Sequence, residues 1–225
     1  MKTILKTGGR GLMALAAACI LACTGKQAFT ERERLIIGSS DSLMYVTVLP
    51  EDSLILRSRS TELGPAELRS PELKALTAKM LYTVKHPSQD GVGIAAPQVG
   101  IDRRIFWVMR MDKAGEPFEC YLNPQMDSLW GEVTHGPEGC LSVPPMRGLV
   151  PRYDHVRITY THPQTLQRVT ETVEGYTAII FQHEYDHLEG TLYIDKADTL
   201  FRHDAWARER SAFRYEKPAW WPKEY

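Results

Sequence analysis

The segment that most constrains this chain is Ala178-Ile-Ile-Phe-Gln-His-Glu-Tyr-Asp-His187, in which two histidines stand four residues apart behind an apolar run. On a helix, residues four apart share a face, so His183 and His187 can both reach one ion. Glu184 lies roughly 100° further round the helix, close to that ion without needing to bind it. The spacing predicts a helix from about Tyr176 to Leu188, with Gly190 as its natural stop. Two surface histidines would also satisfy the spacing. The apolar residues just upstream argue instead for a face that is buried or lines a cleft. The rest of the chain must then be built around this helix.

Two imidazoles leave a catalytic metal site incomplete, because such sites use three protein ligands and keep one position open. Candidates for the third are Cys140, His135, His155, His162 or a carboxylate. Cys140 stands out, in Glu138-Gly-Cys-Leu-Ser-Val-Pro144, where glycine frees the backbone and proline ends the segment. A thiolate beside two imidazoles suits zinc or ferrous iron. The chain has four cysteines, of which Cys19 and Cys23 lie near the N-terminus, so there is no disulfide framework. A Cys120–Cys140 bridge is conceivable in an oxidising compartment and would destroy the proposed site.

The N-terminus reads separately. Lys2, Lys6 and Arg10 precede an apolar run from Gly11 to Ala22, too short to span a bilayer but suited to an export signal. Ile20-Leu-Ala-Cys23 resembles the lipobox of bacterial lipoproteins, which makes Cys23 the expected lipidation site and 1–22 a removable signal. Residues 23–42, polar and without sustained period, are expected to be a tether. A net charge of −1, without a basic patch, offers no reason to expect a nucleic-acid partner.

From Leu43 the apolar pattern is dense, and 43–195 is expected to form the catalytic domain. Ser70 as N-cap and Pro71 at the first position start a helix that Leu73, Leu76, Met80, Leu81 and Val84 carry to about Val84. Asp90–Gly100 is expected to be a loop, its small residues permitting close backbone approach. Short strands are expected at Ile105–Met109, Cys120–Leu122, Val133, Val156–Tyr160 and Val169–Val173, with Asn123-Pro124 and His162-Pro163 between them. Residues 196–225 are expected to be a partly helical extension. Short strands around one buried helix imply an α+β fold with mainly antiparallel sheets packed around the metal-binding helix.

Three motifs together carry a family resemblance: Gly91-Val-Gly-Ile-Ala-Ala-Pro-Gln98, Glu138-Gly-Cys-Leu-Ser142 and His183-Glu-Tyr-Asp-His187. In this order they are similar to those of peptide deformylases, over roughly Leu43 to Asp195. The resemblance implies a single divalent metal on Cys140, His183 and His187, ferrous iron being favoured and zinc possible. It implies that Gln98 and the Leu141 N–H stabilise an oxyanion and that Glu184 moves the proton. The implied reaction is hydrolysis of N-formyl-methionyl peptides to formate and a free amine. Val92 and Gly93 are expected to pair with an extended substrate backbone. Tyr176, Ile179 and Ile180, one helical face with His183, would form a slot for a methionine-like side chain. Glu138 is expected to pair with Arg152.

Two other readings fit part of the pattern, an extracytoplasmic metallopeptidase and a non-catalytic lipoprotein that kept the fold. The first lacks a further His or Glu ligand downstream, and the second would be favoured by a lost ligand, which is not seen. The expected setting is the cell envelope, lipid-anchored, with the protein a monomer. It would be cytoplasmic if the signal is unused.

Overall fold

The computed structural model describes residues 29–203 and 217–222. The signal segment 1–22, the lipidation candidate Cys23 and most of the helix expected within the C-terminal extension lie outside the described residues.

Six antiparallel strands form one sheet in the order β1-β2-β3-β4-β5, with β6 added to β4. They are β1 Gly93–Ala95, β2 Ile105–Met109, β3 Phe118–Gly139, β4 Met146–Thr161, β5 Arg168–Glu174 and β6 Thr199–Arg202. The first half of β4 pairs with β6 and its second half with β5, so these two strands share one edge of β4. The helices are α1 Glu31–Ile37, the single turn α2 Ser53–Leu56, α3 Pro71–Lys85 and α4 Gly175–Leu188. α4 packs across β1, β2 and β4, which sets the metal-binding motif against the sheet. The α+β, antiparallel architecture expected from the sequence is the one found.

Local chemistry explains the two long helices. The Ser70 hydroxyl accepts the Leu73 N–H at 3.1 Å, and Pro71 opens α3 where its missing N–H costs nothing. Beyond α4, Gly190 adopts φ +70°, and a Cβ there would lie 2.5 Å from the Arg57 carbonyl oxygen. That end therefore needs glycine for both conformation and space.

Several expectations need correction. Asn123-Pro124 does not end a strand, because β3 runs through it with a register shift between Leu122 and Gln125. Asn123 takes φ 46° there, and its side chain holds Leu63 by both backbone groups, at 2.7 and 2.8 Å. A bulge with its own side-chain partner absorbs the proline. The segment 90–100 is not loop throughout. Gly93–Ala95 forms β1 against β2, and Ala96–Val99 forms a 3-10 turn closed by Ala95 N–H donating to Gln98 Oε1 at 2.8 Å. Cys120 and Cys140 are both free and buried, so no disulfide joins them.

The expected tether, 23–42, is the largest departure among the described residues. Thr30 and Glu33 make a reciprocal capping box at the start of α1, and Phe29, Ile36 and Ile37 are buried with Leu73, Leu76 and Met80. Glu33 and Glu67 both reach the buried Arg103 at 2.9 Å. Helix α1 has only two turns, too short to show a period, although Thr-x-x-Glu is itself a helix-start signal. Ile36→Ala should therefore lower the unfolding free energy by about 2–5 kcal/mol in urea titrations. A tether residue would leave the midpoint unchanged.

The described parts of the C-terminal extension are not helical. Thr199–Arg202 is an edge strand, and Pro218–Trp221 is a turn whose Trp221 is buried in the same core as α1. Lys217 Nζ meets the buried Asp52 at 2.6 Å.

Candidate metal centre and catalytic cleft

Three ligand atoms from two elements converge. Cys140 follows the last residue of β3, while His183 and His187 lie one turn apart on α4. One donor atom from each lies within 4.8 Å of the others, and Cys140 Sγ is 3.3 Å from His187 Nε2. His135, His155 and His162 are elsewhere: His135 pairs with Asp198 at the surface, and His155 pairs with Asp154.

The surrounding groups fit a soft divalent ion. Glu138 Oε2 accepts from His183 Nδ1 at 2.7 Å, which fixes the tautomer and leaves Nε2 as the donor atom. Burial disfavours a charged His183, but Cys140 and Glu138 outweigh it and hold its pKa well above the usual value. A metal cation at Nε2 would satisfy the same two anionic partners. His187 is driven the other way, its pKa lowered well below the usual value by burial and by His183. A neutral imidazole of this kind is a ready ligand. The Ser142 N–H and Gln98 Nε2 both approach Cys140 Sγ at 3.4 Å, as donors suited to a thiolate.

Glu138 is itself held by Arg152. Burial works against its charge, yet His183 and Arg152 bring its pKa down to about 2. Arg152 meets both Glu138 oxygens, at 2.7 and 3.1 Å, and reaches Asp186 on α4 at 2.7 Å. The expected Glu138–Arg152 pair therefore exists, but it is buried and extends to a third member. Asp186 has no motif that would announce this role beyond its place inside His-Glu-x-x-His.

Two of the ligands, Cys140 and His183, border a cleft of about 230 Å³. Its walls include Val92, Gly93, Gln98, Leu141, Tyr176, Ile179, Ile180 and Glu184, so every expected catalytic and substrate residue meets at one place. Tyr176 is 57% exposed at the rim, whereas Ile180 is 4% exposed and serves core and cleft together. Arg147 also lines the cleft, and nothing in the sequence singles it out. Val92 has its carbonyl occupied by the Met109 N–H at 2.8 Å, so its side chain, not that carbonyl, is available to the cleft. By strand alternation, the groups of Gly93 face the unpaired edge of β1. Leu141 N–H makes no hydrogen bond among the described residues.

Glu184 is the unusual carboxylate. It is 3% exposed, its Oε2 has no partner among the described residues, and burial pushes its pKa up to about 7. Gly93 makes room for it: a Cβ on that residue would lie 2.8 Å from Glu184 Cδ and closer still to Oε1.

A buried Cys-His-His triplet, an unpaired carboxyl beside it and a cleft open to a strand edge define a single-metal hydrolase for extended peptides. The chain belongs to the polypeptide deformylase family, whose model matches residues 44–203. Peptide deformylase 2 of Bordetella bronchiseptica is 45% identical over 130 residues, 55% of this chain and 72% of the relative. A peptide deformylase of Leptospira biflexa is 37% identical over 149 residues, 63% of this chain and 82% of its own. Among solved structures, a Met-Ala-Ser-bound class I type b peptide deformylase of Acinetobacter baumannii aligns at TM-score 0.61 and 34% identity. It covers 68% of this chain and 98% of its own. The actinonin-bound form of that enzyme aligns at 0.61 and 35%, covering 69% and 99%.

Proposed function

We propose that this chain removes the formyl group from formyl-methionyl peptides, releasing formate and a free N-terminal amine. The observation that carries the reading is Glu184, buried and unpaired, against Gly93 and beside the three ligands. Cys140, His183 and His187 would hold one divalent ion, ferrous iron by preference and zinc as a substitute. When bound, that ion supplies a lowered pKa for water and polarisation of the formyl carbonyl.

The protein's own groups do the rest. Glu184 takes the proton of the attacking water and passes it to the departing amine nitrogen. Gln98 Nε2 and the Leu141 N–H would receive the oxygen as it gains charge. Gly93 offers its backbone to the extended peptide, as an added strand would require. Tyr176 and Ile179, with Ile180 behind them, provide an apolar slot for the methionine side chain.

The direct test is hydrolysis of formyl-Met-Ala-Ser by protein loaded with iron, nickel or cobalt. Absence of turnover with all three would sink the reading. Cys140→Ala should abolish stoichiometric metal on elemental analysis and remove the thermal stabilisation that added metal gives. An unchanged metal content would mean that a different residue completes the site.

We propose further that the enzyme is a monomer exported to the cell envelope and held there by a lipid on Cys23. The support is the charged, then apolar, N-terminal segment ending at that cysteine. Cell fractionation with mass spectrometry of the N-terminus tests it, since cytosolic protein retaining Met1 would overturn export.

A further inference from the structure

The C-terminal turn at 217–221 lies beyond the family match at 44–203, yet it closes onto the segment 45–52. Lys217 Nζ meets Asp52 Oδ1 at 2.6 Å, and the Trp221 ring stands edge-on to Tyr45 at a centroid distance of 4.8 Å. Asp52 is 2% exposed, and Lys217 is its only ion-pair partner among the described residues. Its other oxygen, Oδ2, accepts the Tyr45 hydroxyl at 2.8 Å and the Val48 N–H at 3.0 Å. One buried carboxylate thus folds the segment and fastens it to the C-terminal turn.

The same segment holds two parts of the catalytic site together. The Thr47 N–H donates to the Gln98 carbonyl at 2.9 Å, and the Thr47 hydroxyl donates to the Pro97 carbonyl at 3.0 Å. Two residues on, the Leu49 N–H donates to the Ser142 carbonyl at 2.9 Å. Gln98 belongs to the turn after β1, and Ser142 to the cysteine segment after β3. Their side chains also meet, but at 3.4 Å from Gln98 Nε2 to Ser142 Oγ, which is long for a hydrogen bond. The backbone bonds from Thr47 and Leu49 therefore carry more of the alignment.

We infer that the turn 217–221 is a clasp that positions Gln98 and the cysteine segment, acting through Asp52 and the segment 45–52. A buried carboxylate that loses its cation is driven towards water. Asp52 reaches water only if Tyr45 and Val48 release it, and the bonds made by Thr47 and Leu49 open with them. Gln98 Nε2 and the Leu141 N–H then lose their fixed separation. A donor of that kind works by being in place before charge develops, so displacing it costs rate more than binding. Lys217 and Trp221 touch no reacting atom and are positioning residues. The catalytic part of this inference rests on the deformylase reading, whereas the clasp itself does not.

The test compares Lys217→Met, Lys217→Gln and Lys217→Arg in the full chain. Amide exchange at Thr47 and Leu49 should quicken roughly tenfold or more in Lys217→Met while α4 keeps its wild-type rates. On formyl-Met-Ala-Ser, kcat should fall about tenfold with KM unchanged, a fraction of the roughly 10²–10³ that losing a whole oxyanion donor costs. Lys217→Arg should match the wild type, and Lys217→Gln, which keeps a donor for Asp52 without the charge, should fall between. Adding Asp52→Asn to Lys217→Met should restore exchange and kcat together, because a neutral amide can stay buried. In a Gln98→Ala background, Lys217→Met should cost less than about twofold. Unchanged exchange at Thr47 and Leu49 in Lys217→Met and Lys217→Gln overturns the clasp. Faster exchange with wild-type kcat, or the full tenfold loss without Gln98, overturns its positioning role. The exchange measurement needs no substrate, so a wild type inactive on formyl-Met-Ala-Ser would fail the deformylase reading and leave the clasp to be decided by exchange.

Discussion

Glu184→Gln is expected to bind metal with the stoichiometry of the wild type and to hydrolyse formyl-Met-Ala-Ser about 10²–10⁴-fold more slowly. The amide keeps the size of the carboxyl, so the packing against Gly93 survives while the proton acceptor does not. Elemental analysis and kcat measured on one preparation separate the two effects. Gly93→Ala should reach a similar loss by another route. Its new methyl would occupy the space of the Glu184 carboxylate, 2.8 Å from Cδ, and crowd the strand edge that faces the substrate. Here KM should rise as kcat falls, whereas Glu184→Gln should act mainly on kcat. If Glu184→Gln retained full activity, another base would have to be sought.

Arg152→Met is expected to produce the largest loss of stability of any single change near the site, about 3–5 kcal/mol in urea titrations of the metal-free protein. The methionine fills similar space but leaves Glu138 and Asp186 without their shared cation, at 9% and 10% side-chain exposure. Asp186 keeps Lys196 at 2.6 Å, so Glu138 bears more of the penalty. With Glu138 loosened, His183 loses its anchor, and metal affinity should fall about 10–100-fold in competition with a chelator. Adding Glu138→Gln to Arg152→Met should restore part of the stability without restoring the affinity. A stability change under about 1 kcal/mol for Arg152→Met would show that the network is not what holds the two elements together.

The chemistry of the site was legible because it is concentrated in short motifs whose spacing sets side chains on one face. His183, Glu184 and His187 need only helical geometry to become a site, and their apolar neighbours supply the burial. Ser70 and Pro71 marked the start of α3 for the same local reason. Where the sequence misled, long-range partners decided. Asn123-Pro124 looks like an end because proline cannot donate to a ladder, but a bulge anchored on Leu63 lets β3 continue. Residues 29–42 look like a tether because their few apolar residues show no period. Long-range partners, among them α3, Arg103 and Trp221, turn Phe29, Ile36 and Ile37 into core.

The residues of the sequence by themselves determined the His183–His187 pair with Glu184 beside it and the small-residue segment from Asp90 to Gly100, while Cys140 was one of several candidates for the third ligand. Each depends on side-chain type and on spacing along one element. Tertiary structure alone decided that Glu184 of α4 is buried and unpaired, with its pKa raised, because that depends on Gly93 of β1 standing against it. It also decided that Glu138, Arg152 and Asp186 form one buried network behind His183. Charges are paired or stranded by what folding places beside them, and those neighbours come from β3, β4 and α4, elements that only the closed sheet brings together.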